Sequence, residues 1–277
     1  MTTNESVSEH YTHGRLVAAI REGLAAAGKT PDAVTIDDLA AVDEFHIGGR
    51  QATEDFIGQL GLAADHRVLD VGCGIGGPAR FVAERFGCRV GGIDLTPEYV
   101  ETARVLCQWV GLDGRVAVQQ ASALDMPFDD GAFDAAYMLH VGMNIADKAG
   151  LFAEVARVVA PGGAFGVYDV MATGPGELAY PVPWAETPET SALATPDEYK
   201  AALAAAGFAV SAERDRRDFA IAYFDRMRAR AAEAGGPPPL GRHILMGESA
   251  ALKVANMRDN IAAGHIAPVE LIARRDA

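Results

Sequence analysis

Short runs of branched apolar residues alternate with stretches of helical apolar spacing along most of the chain. Val68, Leu69 and Val71 make the first such run and read as a buried strand. Residues 79–86 then carry helical spacing. The alternation continues with an apolar run at 89–94 and a helix over 97–110, whose stripe is Tyr99, Val100, Ala103 and Leu106. Further strands are predicted at 115–120, 133–139, 164–170, 208–213 and 266–274, with helices at 151–159 and 196–205. Strands interleaved with helices predict an α/β protein: a Rossmann-like, seven-stranded, mostly parallel sheet with helices on both faces.

Two regions stand outside this rhythm. Residues 1–60 precede the first strand. Their first thirteen residues read as frayed, and 14–28 as an amphipathic helix with Leu16, Ile20 and Leu24 on one stripe. Thr35 caps a second helix with acids in its first turn, and 43–57 leads into a third. This segment forms a helical cap over the site or pairs with another subunit in a homodimer. The second region is split. Residues 171–195 are rich in proline and glycine and carry Tyr180 and Trp184, which reads as a lid or acceptor wall, or as a surface excursion packed by its own aromatics. Residues 216–262 are a helical, acceptor-side lid insertion, opening with a densely charged, solvated helix and broken at 235–241. The core is then 61–215 and 263–277.

Composition narrows the function. The 277 residues are 49% hydrophobic and 22% charged, ordinary for a globular chain. The formal net charge of −14 argues against a nucleic-acid substrate and an anionic membrane surface. No apolar run is long enough to span a bilayer, and the polar, acidic first ten residues lack the pattern of a secretory signal. The odd set Cys73, Cys88 and Cys107 fits reduced thiols in a cytoplasm.

The chemistry gathers behind the first strand. Gly72, Gly74 and Gly77 give G-x-G-x-x-G, with Gly76 in addition, between a strand and a helix. Glycines there permit positive φ and let a ligand approach the backbone. Asp94 ends the next strand and suits the two hydroxyls of an adenosine ribose, which fits NAD and S-adenosylmethionine (SAM) alike. Asp70, at the strand tip, separates them. A carboxylate there repels a pyrophosphate but suits a ligand with an ammonium and a sulfonium. His140 and Asn144 follow the fourth strand at a switch-point crevice, beside the transferred group. Alternatively, His140 is a packed histidine with a backbone partner and Asn144 caps the next helix. Tyr168 and Asp169 end the fifth strand, and alternation turns one of them to the pocket. His46, followed by two glycines, marks backbone near a ligand or an ordinary helix-to-helix turn. His46, His140, Tyr168, Asp169 and His243 are the candidates for a base, and Arg242 for holding an acceptor carboxylate, with a surface arginine as the alternative. No metal-binding motif is present.

L-D-V-G-C-G-I-G at 69–76, I-D-L-T at 93–96, D-M-P-F-D-D-G-A-F-D at 125–134 and E-V-A-R-V-V-A-P-G-G at 154–163 together resemble the class I SAM-dependent methyltransferases. The resemblance is to their ubiquinone/menaquinone, tocopherol and sarcosine/dimethylglycine type. It implies a last strand antiparallel to the others, and SAM held by Asp70, Gly72, Cys73, Gly74, Gly76, Asp94, Leu95 and His140. It also implies that the segment around His46 lies by the methionine end of SAM or the acceptor. That type usually has an acid at the position of Ser122 for the adenine amino group; here Ser122, Ala123 and Leu124 take the purine. The implied function is methyl transfer without a metal to a small metabolite at N, O, S or C, with Asn144, Tyr180, Trp184, Arg242 and His243 toward the acceptor. An NAD-dependent oxidoreductase and a non-catalytic SAM-binding protein are the alternatives.

Overall fold

The computed structural model describes residues 4–12, 14–236, 238–247 and 249–277. One seven-stranded sheet runs through it in the order β3-β2-β1-β4-β5-β7-β6. The strands are β1 (Arg67–Val71), β2 (Arg89–Asp94), β3 (Val116–Gln120), β4 (Phe133–Leu139), β5 (Val159–Ala172), β6 (Phe208–Asp215) and β7 (Ile266–Arg275). The first five pair in parallel, and β7 runs antiparallel between β5 and β6, as expected. The order reverses between β1 and β4, so the crevice that binds ligands in such sheets opens at the ends of those two strands.

Eleven helices surround the sheet among the described residues. Four precede it: α1 (Asn4–Tyr11), α2 (Leu16–Ala26), α3 (Ile36–Asp43) and α4 (Arg50–Ile57). Four connect strands: α5 (Gly77–Phe86), α6 (Pro97–Trp109), α7 (Lys148–Val158) and α8 (Pro196–Ala205). Three fill the insertion before β7: α9 (Arg217–Ala234), α10 (His243–Met246) and α11 (Ala250–Ala262). Val68 and Tyr137 face one buried layer of the sheet, and Leu69 and Met138 the other, the two-residue period of a strand covered on both sides.

Local chemistry sets several helix starts. Thr35 accepts from the Asp38 amide while the Asp38 carboxylate takes the Thr35 amide, and Thr195 and Glu198 repeat this reciprocal cap on α8. Thr96, at the start of α6, makes no side-chain cap; its amide donates instead to Asp94 Oδ1 at 2.9 Å. Asp147 caps α7 through the Gly150 amide, so Asn144 is not the cap. The P-G-G at 161–163 lies within β5 rather than at the end of α7. Strand β5 already starts at Val159, and its pairing with β4 shifts register there.

Two expectations about the outer segments are corrected. The first residues read as frayed, yet Asn4–Tyr11 is helical and lies over the cavity described below; residues 1–3 and 13 are outside the described residues. The helix read as solvated, α9, buries Ala220 and Phe224 and presents them to a cluster with Trp184 and Met257. In the second helix, Leu16, Ile20 and Leu24 are buried as the spacing requires, against Tyr99 and Leu106 of α6 and Leu240 and Leu245 of the insertion. The N-terminal helices therefore cover their apolar stripe within their own chain. Among the described residues no helix is long and apolar enough to cross a membrane.

Candidate active site

A cavity of about 420 Å³ opens at the ends of β1, β2 and β4, where the switch point lies. One end is polar. Asp70, Gly72, Cys73, Gly74, Asp94, Leu95, Ser122, Ala123 and Leu124 all line it, so nearly the whole set read from the sequence converges. Gly76 does not line it; it starts α5 at φ 82°, against the Arg80 guanidinium.

The glycine turn serves two surfaces. Gly74 has φ 54°, and a Cβ there would meet nothing within 4 Å: the space beside it belongs to the cavity. Its amide donates to Asp94 Oδ2 at 2.9 Å, so the loop and the β2 tip hold each other. Gly77 serves the protein itself. A Cβ there would lie 2.3 Å from the Asp43 carbonyl oxygen and 2.8 Å from its carboxyl carbon. Asp43 thus sits across the start of α5, with Arg80 Nη2 donating to its Oδ2 at 2.7 Å. A dinucleotide would need that place for its pyrophosphate. A buried carboxylate occupies it, and the NAD alternative has no support here.

Asp70 is 1% exposed and accepts from the Tyr137 hydroxyl at 2.9 Å. Burial pushes its carboxyl up to about 8, with Asp94 and Glu44 adding to the rise and the Tyr137 hydrogen bond opposing it. Such a group welcomes a cation. Burial likewise pushes Asp94 up, against the hydrogen bonds from Thr96 and Gly74. The residues present fit SAM: a carboxyl for its ammonium, a strand-tip acid for its ribose, an open glycine edge, and Leu95, Ala123 and Leu124 for a purine. Ser122 Oγ accepts from the Leu124 amide at 3.2 Å, so the hydroxyl that replaces the usual acid first holds its own turn.

The other end of the cavity is apolar. Ile47, Met143, Trp184, Phe224, Met227 and Met257 line it. Trp184 is buried, with its indole N–H on Ser191 Oγ of the same segment at 2.9 Å, and Pro183 and Trp184 bring the 171–195 segment to the cavity. Tyr180 packs behind them and does not reach the cavity, and neither does His243 on α10. Arg242 does line it. Above both ends lies α1. Tyr11 Oη donates to Asn144 Oδ1 at 3.4 Å, and Asn4 Nδ2 to Ser122 Oγ at 3.5 Å.

The candidate bases sort by what their atoms already hold. Tyr168 is fully buried outside the cavity lining; its hydroxyl donates to the Ile47 carbonyl at 3.0 Å. Asp169 is also outside, accepting from the Tyr199 hydroxyl at 2.8 Å. The strand runs on to Ala172, so Tyr168 and Asp169 do not end it, and neither lines the pocket, because α4 and α8 cover the two sides of the strand. His140 lines the cavity at φ 56°, a left-handed position unusual for histidine. Its Nδ1 lies 3.2 Å from the Tyr168 carbonyl and its Nε2 accepts from the Ile47 amide at 3.3 Å. Both ring nitrogens are engaged with backbone, which is the packed-histidine alternative.

His46 differs. Its Nε2 lies 3.1 Å from the Gly49 carbonyl and 3.0 Å from Thr53 Oγ1, while Thr53 Oγ1 donates to buried Glu44 at 2.6 Å. The carbonyl fixes the proton on Nε2 and leaves the lone pair on Nδ1. Among the described residues no hydrogen bond engages that atom, and His46, its side chain 2% exposed, lines the cavity. Burial, then the Arg242 charge, pushes His46 down to about 3. Of the two glycines that follow, Gly48 serves packing: a Cβ there would lie 2.5 Å from the Phe219 ring.

Sequence reasoning placed the 216–262 insertion and Arg242 on the acceptor side but missed Tyr11, Asp43, Ile47 and the apolar residues of α9 and α11 that form the wall. The spacing of Ala220, Phe224 and Met227 on α9 was a readable helical stripe, hidden by the charge around it.

This geometry agrees with comparisons to known proteins. The fold is that of class I SAM-dependent methyltransferases, and residues 69–167 match the methyltransferase domain family. The methyltransferase GfsG of Streptomyces halstedii is 34% identical over 147 residues, which is 53% of this chain and 51% of that protein. The chain spans about half or less of the length of the curated relatives it matches. Geranyl diphosphate C-methyltransferase from Streptomyces coelicolor A3(2), solved with Mg²⁺, geranyl diphosphate and S-adenosylhomocysteine (SAH), superposes with a TM-score of 0.66 at 21% identity, covering 80% of this chain and 78% of that one. The [4+2]-cyclase SpnF superposes at 0.71 with 24% identity, covering 99% and 97%. Both structural likenesses establish the fold alone.

Proposed function

We propose that the chain transfers the methyl group of SAM to a small, largely apolar acceptor. One observation carries this: a single cavity joins an end lined by Asp70 and Asp94 at the β-strand tips to an apolar end walled by the insertion. The sulfonium is an activated donor, so the protein has to align donor and acceptor and exclude water. Asp70 would hold the ammonium, Asp94 the ribose hydroxyls, and Leu95 with Ala123 the purine. The apolar walls and α1 would keep water from the methyl. An acceptor O–H or N–H would give its proton to His46 Nδ1 as its bond to carbon forms and the carbon–sulfur bond breaks. Three free, buried cysteines support a reducing compartment such as the cytoplasm.

The test is incubation with methyl-labelled SAM and a metabolite extract, followed by partition into organic and aqueous phases. Label in the organic phase is the expected result. Label only in polar, cationic products would overturn the apolar acceptor. SAH binding without transfer to any fraction would favour a binding protein.

A further inference from the structure

The acceptor end of the cavity holds one unbalanced charge. Arg242 is the only lysine or arginine among the described residues that line the cavity. Two of its N–H groups are used: Nη1 donates to the His46 carbonyl at 3.1 Å and Nη2 to Met227 Sδ at 3.0 Å. Its guanidinium lies over the Tyr223 ring, 5.1 Å from the centroid. Neither partner is anionic, and no carboxylate among the described residues forms an ion pair with it. The carboxylates that line the cavity have other work. Asp43 is paired with Arg80, Asp94 is tied to the glycine loop, Asp70 takes the Tyr137 hydroxyl and Asp147 caps α7. The charge is felt at the acceptor side, since it helps to hold both His46 and His140 in their neutral forms.

A half-buried guanidinium in an apolar wall with no carboxylate paired to it suits an anion, because its planar fork matches an oxyanion. The surrounding wall is built for a hydrocarbon of loose shape. Met143, Met227, Met246 and Met257 line it, and the unbranched thioether adapts to irregular apolar surfaces. Given methyl transfer to an apolar acceptor as proposed above, we infer that the acceptor is an apolar acid, whose oxyanion is held by Arg242 while its hydrocarbon body lies against the methionine wall.

The test needs no knowledge of the natural acceptor. Decanoate, decanol and decyltrimethylammonium share one chain length and differ in charge. Each is titrated into the SAH-loaded protein by calorimetry. Decanoate is expected to bind about tenfold or more tighter than decanol, the scale of a charge-assisted pair, and the cation weakest. Arg242→Met should remove the preference while decanol and SAH bind as before. Arg242→Lys, which keeps the charge and loses the fork, should retain part of it. Decanol binding as tightly as decanoate, a preference that survives Arg242→Met, or no binding of either probe would overturn the inference. Failure of the methyltransferase proposal would instead appear as lost SAH binding or absent label transfer, which these probes do not measure.

Discussion

The Tyr137 hydroxyl donates a hydrogen bond to Asp70 at 2.9 Å, joining β4 to β1 at the floor of the cavity. It is the interaction that most opposes the rise of the Asp70 carboxyl to about 8. In the ligand-free protein Asp70 is therefore protonated at neutral pH, and a ligand ammonium must displace that proton. SAH binding is expected to release a proton at pH 6–7 and to tighten by up to about tenfold per pH unit between about 5 and 8, then level off. For the empty protein the sign is opposite. A raised carboxyl stabilises the fold at low pH, and that contribution is lost as pH rises through about 8. Tyr137→Phe should move the binding midpoint to higher pH. Calorimetry in buffers of different ionisation enthalpy checks this; pH-independent affinity without proton release would sink it.

Removing the hydroxyl between Glu44 and His46 is expected to impair turnover and leave the donor alone. Thr53→Val preserves volume but loses the contacts at 2.6 Å and 3.0 Å that steady the imidazole. We expect kcat to fall about tenfold with SAH affinity within a factor of two, and His46→Gln to lower kcat by about a hundredfold. The check is labelled methyl transfer once an acceptor is in hand. Equal losses of SAH binding would show a structural defect instead.

Acid should destabilise the protein through its histidines. Burial holds both His46 and His140 down to about 3, whereas an unfolded histidine titrates near 6.5. A depressed base contributes stability above its unfolded value and loses it as pH falls, here between about 6.5 and 3. His140→Asn suits the left-handed backbone at φ 56° and removes one of the two groups. Its urea midpoint is expected to fall less steeply over that window than that of the unaltered protein. Parallel curves would refute this origin of the acid sensitivity.

The two glycines at 74 and 77 should separate ligand binding from folding. Gly77→Ala forces a methyl onto the Asp43 backbone, at 2.3 Å from its carbonyl oxygen, and is expected to cost about 3 kcal/mol of stability. Gly74→Ala meets no protein atom within 4 Å and costs about 1 kcal/mol for its positive φ. Its methyl enters the cavity, so SAH affinity should drop at least tenfold. Urea unfolding and SAH calorimetry on the two variants give the comparison; the reverse pattern would mean that the roles are exchanged.

The sequence by itself determined the donor half of the site. Strand β1, the glycine turn, α5 and the Asp94 tip are contiguous or one crossover apart, and each rests on local chemistry: branched apolar runs, positive φ, a strand-end acid. The cap at Thr35 was legible for the same reason, since it closes within four residues. Tertiary structure decided most of the acceptor half, of which the sequence named only Asn144, Trp184 and Arg242 among the lining residues. Ile47, Trp184, Phe224 and Met257 come from four separate segments and meet only when the insertion folds back over β4 and β5. Strand period showed that Tyr168 and Asp169 point to opposite faces, but helices on both faces bury each of them away from the cavity. Which histidine keeps a free lone pair was also beyond local reading. His140 gives both nitrogens to backbone from distant parts of the chain, while a carbonyl three residues on and a threonine seven residues on fix the proton of His46. Periodicity and caps act over a few residues, whereas a cavity wall and a tautomer depend on atoms that only the folded chain brings together.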